Sequence, residues 1–284
     1  MDTQPNNPAL SPWLRVFIGV VVVVLIIGSG LFFVPDVLVP AWPWKIAPFN
    51  ARFLGSIYLA GLSGVSVLLF INRWAPARVA LPMGIAFTAV VSLASILYSS
   101  NFNFVQTRTQ LWFTFYIIPC FISAYFLWLY RHLPPADPNP PPSPWRPLLL
   151  AEGVVLGLYG LGAFFLPSVF TAFWPWKIDA FHAQIYSGLF ITAAVGVLLL
   201  YRAAAPSEFL VLGLTHSVLG LFAPLGVLLV DSATHRVDWS SLGTWLWMAG
   251  CALVFLVGLA MLRQALVASR RVSAQVVGQP GSAG

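Results

Sequence analysis

Runs of about twenty apolar residues, separated by short polar or proline-bearing breaks, recur from one end of the chain to the other. At 1.5 Å per residue, a run of about 20 residues crosses a hydrocarbon layer about 30 Å thick. The pattern predicts eight such spans, at about 13–34, 49–70, 79–97, 111–130, 147–166, 181–201, 209–230 and 242–262. Their outward faces stay apolar, so a soluble helical bundle is excluded and lipid is the expected solvent.

The breaks carry a second pattern. Trp42-Pro43-Trp44-Lys45-Ile46 returns letter for letter as Trp174-Pro175-Trp176-Lys177-Ile178, a displacement of 132 positions. The same displacement aligns Ser11-Pro12-Trp13 with Ser143-Pro144-Trp145, Phe32-Phe33 with Phe164-Phe165, Pro35 with Pro167 and Arg131 with Arg263, without a gap. A repeat of this length predicts two copied units of four spans each, 11–131 and 143–263. An even number of spans per unit brings both copies into the membrane from the same side. The expected fold class is therefore an all-α polytopic membrane protein, with eight transmembrane helices arranged as two parallel four-helix repeats.

Composition sharpens this picture. Residues are 59% hydrophobic and only 8% charged, with a mean hydropathy of +0.87. The formal charge of +6 is spread over short loops instead of one patch, so no nucleic-acid partner is expected. Of the fourteen Lys and Arg residues, nine fall on the side bearing both termini and five on the other, which predicts cytoplasmic termini in a bacterial-type plasma membrane and outward-facing Trp-Pro-Trp-Lys-Ile loops. Cys120 and Cys251 lie mid-span and read as small buried hydrophobes.

Outside the units, residues 1–10 read as a disordered polar tail and 132–142 as a stiff Pro-rich cytoplasmic linker. Residues 264–284 read as a polar tail whose first part can extend the last span. The first span has the look of a signal peptide, but it aligns with the fifth and is expected to be retained.

Chemistry-bearing residues are few. The repeated loops offer Trp42, Trp44, Lys45, Trp174, Trp176 and Lys177, residue types that anchor at a headgroup interface and can also frame a binding mouth. Beside them the copies diverge: Asn50 corresponds to His182, Arg52 to Gln184 and Leu54 to Tyr186, which argues against a symmetric site. Asn50 reads as a helix cap, and His182 and Tyr186, four apart, as a polar pair facing a vestibule. His216 stands deep in the seventh span opposite Gly84 of the first unit, where a polar group needs a partner in the bundle. Glu152, opposite Val20, is expected near the interface with Arg146 or Arg202. Asp231, His235 and Asp238 cluster in the last outer loop and read as solvated connector residues. Paired glycines, such as Gly28 with Gly160 and Gly64 with Gly196, read as helix-packing positions.

The expectation for function is a non-catalytic membrane protein, acting as an accessory or structural subunit or binding a lipid-like molecule through its aromatic loops. A small-molecule transporter with a site near His216 is the alternative, and a membrane haem or redox protein the third reading. Haem needs a second axial ligand at the depth of His216, and the sequence places His182 and His235 nearer the interface, so no cofactor is expected. No intramembrane nucleophile and base are in evidence. Membrane lipids, and other membrane subunits, are the expected partners.

Overall fold

The computed structural model describes residues 6–137, 139 and 141–277, with side chains to residue 270. The rest of the expected termini, 1–5 and 278–284, and two linker prolines lie outside the described residues. Among the described residues ten α-helices follow in chain order: α1 Pro12–Phe33, α2 Pro35–Ala41, α3 Pro48–Ile71, α4 Trp74–Leu97, α5 Thr107–Leu129, α6 Trp145–Phe165, α7 Pro167–Phe170, α8 Ala180–Arg202, α9 Pro206–Thr234 and α10 Leu242–Val277. Eight of them are long and apolar enough to cross a membrane, which fits an integral membrane protein. Among the described residues the only β pairing is an isolated bridge between Ala9 and Arg73.

Proline sets where these helices start. It occupies the first turn of α1, α2, α3, α7 and α9, where its missing N–H costs nothing and its fixed φ is already helical. Side-chain oxygens cap two more amides: the Ser11 hydroxyl accepts from Leu14 N at 3.3 Å and Asp179 accepts from His182 N at 2.9 Å. Pro82, Pro119 and Pro224 lie inside α4, α5 and α9, a position that membrane helices tolerate.

Several boundaries differ from the sequence reading. The first and second tryptophan loops open with the short helices α2 and α7, each seeded by a proline, where only loop was expected. Residues 7–10 are not a free tail: Trp74 N donates to Pro8 O at 2.9 Å, Ala75 N to the Asn7 side chain at 2.8 Å, and Leu10 is buried. Helix α10 runs to Val277, because residues 263–277 contain no glycine or proline to stop it. Asn50 is not a cap; Ala47 holds the N-cap position of α3.

The packing order positions everything that follows. Helix α1 lies along α3 and α6 along α8; α5 lies along α4 and α10 along α9. Between these groups, α3 packs on α9 and α4 on α8. Within each of these three pairs, a shift of 132 positions turns one contact into the other. Small residues permit the approach: a Cβ on Gly64 of α3 would stand 2.4 Å from Thr215 Oγ1 of α9, and one on Gly28 of α1 would run into the Tyr58 ring of α3.

Candidate functional site

Both tryptophan loops lie at the same end of the bundle, and their indoles turn inward. Trp42, Trp44, Trp174 and Trp176 are all at most 8% exposed, while Lys45 and Lys177 are exposed. The anchoring expected of these tryptophans is replaced by protein contacts. Trp44 packs edge-on against Trp112 of α5, with centroids 4.6 Å apart, and Trp176 against Trp247 of α10 at 5.4 Å.

Each loop also reaches into the other half of the chain. Trp44 Nε1 donates to His182 Nε2 of α8 at 3.0 Å, and Trp176 Nε1 donates to Asn50 Oδ1 of α3 at 2.8 Å. Trp44 faces Phe181 and Trp176 stacks on Phe49, the residues one place earlier on those helices. The two contacts are the same contact displaced by 132 positions. Asn50 and His182, which diverge in sequence, thus both accept an indole N–H in a buried place, where leaving that donor unpaired is costly.

His182 can accept only through a fixed tautomer. Its Nδ1–H donates to Asp179 Oδ2 at 2.6 Å, which leaves Nε2 with the lone pair that Trp44 needs. Partial burial pushes the Asp179 carboxyl up, but the hydrogen bonds it accepts from the ring and the backbone N–H of His182 outweigh it and hold it below the usual carboxylate range. Tyr186 donates to Asn50 O at 3.2 Å. The polar ends of His182 and Tyr186 are therefore both spent inside the protein. Arg52 and Gln184 are matched in the same way: Arg52 donates to Phe32 O, and Gln184 donates to Phe164 O at 2.8 Å.

His216 meets a partner that sequence reasoning placed elsewhere. Glu152 is not paired with Arg146 or Arg202; its Oε1 lies 3.1 Å from His216 Nε2, while His216 Nδ1 donates to Leu212 O at 2.9 Å. His216 is buried on α9 and the Glu152 side chain is mostly covered on α6; a carboxylate turned to lipid would be costly, so it turns to the histidine. Another ion pair escaped notice altogether. Arg78 of α4 clamps Glu208 of α9 bidentately, with Nε to Oε1 at 2.7 Å and Nη2 to Oε2 at 2.8 Å. The same guanidinium donates to Ala203 O at 2.8 Å, and Glu208 accepts from Ala205 N at 2.9 Å. Glu208 at the third position of α9, just after Pro206, was the available signal for an acid reaching back to its own helix start. Asp231 is spent on Val237 N and Trp239 Nε1, each at 2.8 Å, and no metal-ligating cluster exists among the described residues.

Among the described residues, crevices open between helices, and two of them match in position. The first, about 260 Å³, lies between α1, α3, α4 and α5 and is lined by Val24, Gly61, Gly84, Phe115 and Ile122 among others. Val20 and Ile118 line it and are each 49% exposed, so it opens sideways between α1 and α5. The stacked rings of Phe17 and Phe126 bridge α1 and α5 at the end nearer the termini. Tyr58 and Tyr116, both lining residues, join hydroxyl to hydroxyl at 2.7 Å. One hydroxyl donates to the other, which leaves a single O–H without an acceptor among the described residues. The second crevice, about 230 Å³, lies between α6, α8, α9 and α10. Val24, Tyr58, Phe115 and Ile122 in the first correspond by the same displacement to Leu156, Phe190, Trp247 and Val254 in the second. His216 lines neither crevice.

No protein-family model matches the chain, and no curated protein or solved structure shows significant similarity to it.

Proposed function

We propose that this is a non-catalytic integral membrane protein that holds a lipid-like molecule, with an apolar chain, in the crevice between α1 and α5. The sideways opening of that crevice is the observation that carries the reading. Its lining is apolar, and its backbone polar groups are spent within helices, so it suits a hydrocarbon chain and offers nothing to a charged solute. An unfilled gap would forfeit dispersion contacts on every side, whereas a chain entering from the bilayer restores them. The Phe17–Phe126 bridge leaves no continuous groove for a helix of another subunit, but a chain only one methylene wide passes beside it. The spare Tyr58–Tyr116 hydroxyl hydrogen suits an ester or carbonyl oxygen at the head of that chain.

In this reading the chain is a pair of parallel four-helix repeats clasped through the tryptophan loops. The matched contacts displaced by 132 positions support it. The excess of Lys and Arg on the terminal side supports cytoplasmic termini in a bacterial-type plasma membrane, with membrane lipids as the first partners and other membrane subunits as a second class. The binding test is retention of lipid by full-length protein purified in mild detergent and weighed intact by native mass spectrometry. A Cβ on Gly84 would meet nothing closer than Ser123 Oγ at 3.9 Å, so a side chain can start there without a clash, and Gly84→Phe is expected to occupy part of the crevice. Wild-type protein is expected to carry a lipid that G84F lacks; equal lipid on both would overturn the proposal.

A further inference from the structure

The two crevices match at the tryptophan end and differ at the terminal end. The first continues past Phe17, Val20, Met83 and Gly84. At the corresponding places the second half carries Leu149, Glu152, Thr215 and His216, and none of these lines the second crevice. Val20 and Gly84 leave the first crevice open at the level where Glu152 and His216 meet in the second. His216 is 3% exposed, and its ring spans the gap between α9 and α6.

We infer that the Glu152–His216 pair is a plug that closes the terminal half of the second crevice, so that the first crevice takes a long apolar chain and the second only a short one. This rests on the lipid-binding reading above and adds a length filter to it. The pair suits such a place because it can be electrically neutral. With Nδ1–H given to Leu212 O, Nε2 presents a lone pair to Glu152 Oε1 unless a proton lies between them, on the ring or on the carboxyl. The two groups lie 3.1 Å apart, and one proton on either of them leaves the pair without net charge. Filling volume with polar groups has a cost, visible in Glu152 Oε2 and His216 Nε2, which are both buried without a hydrogen-bond partner among the described residues. Exchanging both partners for the apolar or absent side chains of the first half removes that cost along with the pair, so the exchange is compatible with folding.

Reciprocal transplants test the plug. Full-length protein in detergent is titrated with the diazirine-bearing methyl ester of hexadecanoic or octanoic acid; native mass spectrometry counts the bound molecules, and cross-linked peptides locate them. Wild-type protein is expected to hold one long-chain probe, attached to α1 or α5, and to accept the short probe at α6 or α10 as well. The double variant E152V/H216G should raise the long-chain count from one to two, with the new cross-links on α6 or α10. The converse variant V20E/G84H should lose the long-chain probe from α1 and α5 while keeping the short probe at α6 and α10, which also reports that it is folded. Unchanged long-chain counts in both variants overturn the plug while leaving the binding reading intact. Wild-type protein that retains no long-chain probe overturns the binding reading itself.

Discussion

At the residue scale, His182 and Asn50 accept the same kind of indole hydrogen bond with different chemistry. An amide oxygen is always an acceptor, whereas an imidazole nitrogen is one only while its other nitrogen keeps the proton. His182→Asn copies the arrangement of the first half and should cost little. His182→Ala leaves Trp44 Nε1 buried and unpaired and should lower stability by about 1–3 kcal/mol. Thermal unfolding of the two variants in detergent distinguishes them, and equal melting temperatures would mean that the hydrogen bond contributes nothing. Asp179 adds a pH dependence. Its carboxyl titrates below its ordinary value in the folded chain, chiefly because the His182 contacts outweigh the upward push of burial. Its contribution is therefore present above the unfolded carboxylate range and is lost as pH falls through the depressed folded value. Asp179→Asn should reduce stability at neutral pH and flatten the acid limb of the stability profile. Parallel acid limbs in wild type and variant would assign that limb to other groups.

At the element scale, the Arg78–Glu208 clamp joins the terminal ends of α4 and α9 to the turn before α9. Glu208 is fully buried, so Arg78→Ala leaves an uncompensated carboxylate and is expected to cost about 3–5 kcal/mol. Replacing both groups together, as in R78M/E208L, should cost much less, and a double-mutant cycle on melting free energies measures the difference. An additive cycle would mean that the two groups do not interact. This pair also marks where sequence reading stops. The eight spans followed from run length and hydropathy, and the displacement of 132 followed from the copied Trp-Pro-Trp-Lys-Ile, because both signals are local to the chain. Arg78 was counted only as a loop charge, Glu152 was assigned to the wrong partner, and the tryptophans were read as headgroup anchors or the frame of a mouth, whereas they are buried. Each error comes from the same gap: helices that are apolar all round carry no stripe to say which neighbour each face meets. Divergence at Asn50/His182 suggested that no role was shared there, yet a shared acceptor survives a change of side chain when the donor on the other half stays tryptophan.

At the scale of the whole molecule, the strongest contacts between the two halves run through their centres and not through the linker. Helix α3 packs on α9, α4 packs on α8, and the Trp44–His182, Trp176–Asn50 and Arg78–Glu208 contacts all cross from residues before 132 to residues after 143. The Pro-rich segment between them fixes neither arrangement. A chain cut at residue 136 should therefore assemble from two separately translated pieces, each inserting its own four spans. Expressed together with a tag on one piece, they are expected to co-purify with a melting temperature close to that of the intact chain. Joining them contributes only the closure entropy of a short link, which grows slowly with its length. Expressed alone, the first piece would expose Asn50, Trp44 and Arg78 without their partners on the faces that α8 and α9 cover, and it is expected to be degraded or to aggregate. A first piece that is stable alone, and that fails to capture the second, would mean that the halves fold as independent bundles and that the crossed tryptophans only decorate their contact. The variant H182A introduced into the second piece should weaken capture further, because the clasp that it removes then has no covalent linker to compensate for its loss.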